Sequence, residues 1–129
     1  MKSMKSIGLN DELKNFLRSK KISLISSQLL QINIFVQDFL LCVEVYLSVT
    51  GSKETHQIKL KFSDVKEYSF YHGSESYFYN VEIVKFFSQN DLIYISFDPH
   101  DEEEIISPED QDCILGKNVE GFLISDDRA

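Results

Sequence analysis

Leu41, Val43, Val45, Leu47 and Val49 take every second position of one short run, with Cys42, Glu44 and Ser48 among the residues between them. Successive side chains of a strand point to opposite faces, so this row buries one face of a sheet. A helix would scatter the same residues around its circumference. Leu30, Ile32, Ile34 and Val36 repeat the period against Gln31, Asn33 and Gln37. Ile58, Leu60 and Phe62 do so against Lys59 and Lys61, which then belong to a solvated face. "VQDF" turns the first two rows into a hairpin, and "TGSKETH" (50–56) predicts a polar loop before the third.

Further along, "NVEIVKFF" and "LIYISFDP" predict two strands joined by the tight turn "SQND". Pro99 has no N–H to give a ladder and ends the second of them. "SPED" predicts a single helical turn with Ser107 as cap and Asp110 reaching back to it. "CILGKNVEGFLI" predicts a last strand, in which Gly116 and Gly121 mark a turn or bulge. The period is 3.6 only before residue 22. There "LNDELKNFLRSKK" spaces Leu9, Leu13, Phe16 and Leu17 along one side of a helix. Asn10 is placed to cap that helix, Asp11 and Glu12 fall in its first turn, and Arg18, Lys20 and Lys21 close its negative end.

The expected fold is therefore α+β: a twisted antiparallel sheet of about six strands with one N-terminal helix. One domain spans 1–129, with the helix at about 9–21 and a β-rich body at about 22–124. Ten Phe and six Tyr suit strands around an aromatic core. Cys42 and Cys113 are too few for a disulfide framework and read as buried hydrophobes. The N-terminal lysines precede no apolar leader segment, and Phe39 to Val49 is too short to span a membrane and is broken by Glu44. A cytoplasmic location with no membrane partner is the expectation.

Charge is distributed unevenly. Residues 1–97 hold 11 basic and 10 acidic side chains, whereas residues 98–129 hold 2 basic and 11 acidic. The formal net charge of −8 therefore arises in the last quarter and argues against a nucleic-acid partner. "FDPHDEEEIISPEDQD" (97–112) concentrates it in Asp98, Asp101, Glu102, Glu103, Glu104, Glu109, Asp110 and Asp112. These residues lack the Asp-x-Asp-x-Asp-Gly spacing of a calcium loop. Nor are they set apart as an acid–base pair, which needs one carboxyl in an apolar setting. His56, His72 and His100 lack zinc-ligand spacing, and no nucleophile elbow or glycine-rich phosphate loop is present. No catalytic residue, metal or cofactor is expected. Beside the acids, Tyr68, Phe70, Tyr71, Tyr77, Phe78 and Tyr79 cluster around "YHGSES". Alternate members would fill the core, while Tyr71 and Tyr77 are the candidates for exposed interface anchors.

"IKLKFSDVKEYSFY" (58–71) resembles a strand of small bacterial immunity proteins from polymorphic toxin systems, with the pattern hydrophobic-x-Phe-x-x-Val-x-x-aromatic. "LIYISFDPHDEEEIISPEDQDCILGKNVE" (92–120) is similar to the C-terminal stretch of comparable bacterial proteins, where a strand ends in Ser-hydrophobic-Asp-Pro before an acidic loop. The resemblance spans residues 58–120 and implies a cytoplasmic, non-enzymatic protein that binds and neutralises a cognate toxin. Such a toxin domain is basic and often a nuclease. The eight acids of 98–112 would then meet its Lys and Arg, with Tyr71 and Tyr77 as anchors. Two alternatives use the same residues differently. One is a small metal-dependent enzyme or ligand-binding domain using the loop 98–112. The other is an accessory domain with no inhibitory role.

Overall fold

The alternating rows fold as their period requires, into one antiparallel sheet. The computed structural model describes residues 2–51, 54–71 and 80–126. In chain order these form β1 (Lys2–Leu9), α1 (Asp11–Ser19), β2 (Gln28–Gln37), β3 (Leu40–Gly51), β4 (Glu54–Ser69), β5 (Lys85–Gln89), β6 (Leu92–Asp98) and β7 (Gln111–Asp126). The strands lie in the order β2-β3-β4-β7-β6-β5, and β1 adds to the far half of β7. The sheet thus has seven strands among the described residues rather than about six, and a strand precedes the helix. β1 reads "KSMKSIGL", which has no alternation to reveal it. β7 supplies its ladder, pairing Met4 with Ile124 and Ser6 with Phe122.

β1 sits beside β7 and β2 beside β3, so the chain between them must cross β7, β4 and β3. α1 makes that crossing. Leu13 and Leu17 are buried against the core, and Phe16 packs on it. Val45, Leu47, Ile58, Leu60 and Val119 from the inward rows of β3, β4 and β7 belong to the same core. Asn10 does not cap the helix: it has a positive φ of 54° and makes no cap bond with its side chain. Its Oδ1 instead accepts the Val119 N–H at 2.8 Å, and its backbone N–H donates to the Val119 carbonyl at 2.8 Å. A side chain that joins the helix start to β7 is no longer free to cap.

Glycines permit the close layering. A Cβ on Gly121 would collide with Leu13 Cδ1, so the helix rests on bare backbone there. The two glycines of β7 do mark irregularities, but in the partner strands. β1 shifts register between Ser6 and Gly8 opposite Gly121, and β4 shifts between Val65 and Glu67 opposite Gly116.

Several expected boundaries move. The 50–56 loop is largely strand, with Gly51 paired to Glu54. "NVEIVKFF" becomes a strand only from Lys85, because Val81 is instead buried and bonded through its backbone to Ser26 and Ser27. Lys59 and Lys61 do not simply face water. Lys59 lies 4.6 Å from the Phe122 ring centroid and 3.1 Å from Glu44, and Lys61 donates to Gln37 at 2.6 Å. Their stems cover aromatic rings that would otherwise lie bare on the outer face. Ile34 and Val36 are exposed, although they continue the row of Ile32, which packs against the core. Two-residue turns with positive φ at both positions, Asp38–Phe39 and Asn90–Asp91, close the β2–β3 and β5–β6 hairpins. Among the described residues no helix is long and apolar enough to cross a membrane.

Candidate functional site: an acidic loop closed over a buried lysine

Lys85 opens β5, opposite Ser96 of β6, and its side chain runs beneath the β6–β7 connection. The residue is buried, so its ammonium needs partners for all three protons. It donates to the Ile105 carbonyl at 2.8 Å, and pairs with Asp101 at 2.9 Å and with Asp110 at 3.1 Å. Asp110 is buried as well, and three further donors converge on it. The Tyr94 hydroxyl donates at 2.7 Å, the His100 N–H at 2.8 Å and the Ser107 N–H at 3.2 Å. One carboxylate thus ties β5, β6 and both ends of the loop together.

The local sequence assists. Ser107 Oγ accepts the Glu109 N–H at 3.2 Å while Asp110 bonds back to Ser107, which is the reciprocal pattern expected of "SPED". The segment closes as a turn without becoming helical. Asp101 Oδ1 accepts the Glu103 N–H at 3.2 Å and starts the acidic crest.

The eight acids separate into two groups. Glu102, Glu103, Glu104 and Glu109 are exposed, as is Asp98 at the root of the loop. Asp101 is half-buried and paired with Lys85. Asp110 and Asp112 are buried, and Asp112 accepts the Tyr71 N–H at 3.1 Å. Expected among the partner-binding acids, these last two have their carboxylates in the interior, bonded to Lys85 and to the Tyr71 N–H. Tyr71 is 71% exposed, held by that backbone bond at the base of the loop. Tyr77 lies outside the described residues. Ile105 and Ile106 are exposed between the glutamates and Pro108.

A groove of about 370 Å³ lies behind the crest, between Tyr68 of β4 and Ile106 and Pro108 of the loop. Tyr94, Asp110 and Cys113 also line it. Burial pushes the Cys113 thiol up, partly offset by its bond with Tyr94, and neighbouring carboxylates push it further, so this cysteine is not an activated nucleophile. Burial and the bond to Asp110 likewise keep the Tyr94 hydroxyl protonated. Among the described residues no three His, Cys, Asp or Glu side chains are placed to hold one metal ion.

Protonation of the cluster follows from these contacts. Burial pushes the Lys85 ammonium down, but its bonds to Asp101 and Asp110 outweigh this and hold it above the ordinary lysine value. Burial pushes Asp110 up, and the donors from His100, Tyr94, Lys85 and Ser107 outweigh that, leaving it below the ordinary carboxylate range. Its contribution to stability is therefore present above about pH 4 and is lost as pH falls through the lower folded value. The contribution of Lys85 is complete below about pH 10 and is lost as pH rises through its raised folded value. The melting temperature should accordingly drop on acidification below pH about 4. An Asp110→Asn variant, less stable at neutral pH, should show a shallower acid slope. An equal slope in both proteins would place the acid sensitivity elsewhere.

Lys85 went unnoticed in sequence, although its setting carried a signal. A single lysine amid "VEIVKFF" either faces water or needs a buried counter-charge. Comparison with family models, with curated proteins and with solved structures gives no match.

Proposed function

We propose that this chain is a non-enzymatic inhibitor of the immunity-protein type, which captures a basic toxin domain on its acidic loop. The observation that carries this reading is the burial of the loop's own cation. Lys85 is consumed beneath the loop, so the crest offers Glu102, Glu103, Glu104 and Glu109 outward with no lysine or arginine among them. Ile105, Ile106 and Pro108 stand between these acids. An apolar centre rimmed by charge is the usual anatomy of a protein-binding patch. Bonds from Lys85 and Asp110 tie the loop to the sheet in the unbound chain, and a preorganised surface lowers the entropy cost of association.

The test uses a variant that leaves Asp101, Asp110 and Asp112 intact, since these hold the loop. Converting Glu102, Glu103 and Glu104 to Gln is expected to slow association with the basic protein encoded by a neighbouring toxin-like gene by about 10-fold at low salt. The two rates should converge as salt rises, because exposed charges are screened over about 8 Å at 0.15 M. Melting temperature should change little. Association at the wild-type rate throughout the salt series would leave the loop a solubilising surface and favour the accessory-domain reading.

A further inference from the structure

We infer that two copies of this chain pair edge to edge through β2, in antiparallel register about Ile34, to form a dimer with one continuous sheet. β2 ends the strand order, and among the described residues its outer edge is bridged only at Gln28, by Asn80. Exposed edges are ordinarily protected by lysine, proline or inward-pointing charge. "QLLQINIFVQ" contains none of these and no charged residue at all. Ile34 and Val36 are exposed on one face of this edge, Val36 to 69%. Phe39, at the adjoining turn, is fully exposed with a left-handed φ of 65°, and Leu40 beside it is exposed too.

Register follows from the irregularities at either end. A bulge at Leu30 interrupts the β2–β3 ladder, and the Asp38–Phe39 turn ends the strand. The regular stretch between them, Gln31 to Gln37, has Ile34 at its midpoint. Two-fold pairing there sets Ile34 against its own copy and Val36 against Ile32, all on one face. Phe35 then opposes Asn33.

Charge favours a second copy over a charged partner. A strand without charge matches itself with no like-charge repulsion, even in a chain of net charge −8. The acidic loop follows β6, four strand spacings or about 19 Å from this edge. That exceeds two screening lengths of about 8 Å, so pairing does not force the two loops together. Ile34 and Val36 lie on the paired stretch itself, with Phe39 exposed at the adjoining turn, and the edge backbone between Gln31 and Gln37 supplies the ladder.

Sedimentation equilibrium of the full chain at micromolar concentration is the experiment. A discrete dimer is expected, and Val36→Lys should raise its dissociation constant at least 10-fold with the melting behaviour of the isolated subunit kept. Under mild oxidation Ile34→Cys should form a cross-linked dimer, since either antiparallel pairing places the two Cα atoms about 4.5–5.5 Å apart. Phe35→Cys should not. A monomeric wild type, open-ended aggregation, a dimer indifferent to Val36→Lys, or equal cross-linking at both positions would each overturn the inference.

Discussion

Lys85→Met is expected to destabilise the chain by about 3–5 kcal/mol, the range for removing one partner of a buried ion pair. Methionine fills similar space, so the loss is electrostatic rather than a cavity. Asp110 would remain buried with three donors but no cation, and the Ile105 carbonyl would lose its partner. Asp101→Asn should cost far less, because Asp101 is partly exposed and the bond between Lys85 and Asp110 survives. Denaturant melts of the two variants check the ordering. The same substitution separates two accounts of binding. Lys85→Met makes the chain more acidic, so steering by net charge alone predicts faster association with a basic partner. If the loop must be held in shape, association slows or the complex dissociates faster even where the variant is fully folded. Faster and equally tight binding would show that loop geometry is immaterial.

Gly8→Ala should destabilise the chain by about 3 kcal/mol, from a positive φ combined with overpacking. Gly8 has φ 133°, and a Cβ there would lie 2.7 Å from the Glu12 carbonyl carbon and 2.7 Å from the Leu13 nitrogen. Both are backbone atoms of the first helical turn, so no side-chain rotation relieves the contact. The helix must lift, drawing Leu13 and Leu17 out of the core. Gly116→Ala is the control in the same sheet. Its Cβ would meet nothing closer than 3.5 Å, so it should be neutral or stabilising by up to about 1 kcal/mol. Equal melting of the two variants would mean that α1 is held less tightly than its contacts imply.

Strand identity was legible where one face is buried and the other is not. The rows 41–49 and 58–62 alternate because β3 and β4 have neighbours on both sides in the sheet and turn one face into the core, so their pattern carries the tertiary burial directly. The helix was legible for the same reason, through Leu13 and Leu17. β1 was hidden because its apolar residues Met4, Ile7 and Leu9 keep no common strand period, so the strand takes its conformation from the β7 ladder. Ile34 and Val36 alternate as well as any core row, yet they are exposed, since periodicity marks a shared face and not what covers it.

The acidic loop divides in the same way. Composition alone located the charge in residues 98–112. Only the folded chain decided which acids serve it internally, because the cation beneath the loop comes from Lys85, at the start of a different strand. In sequence Asp110 and Glu109 are neighbours of one kind. In the structure Asp110 accepts four donors in the interior, while Glu109 is exposed beside His100. That difference depends on contacts between residues far apart in the chain, which no local pattern encodes.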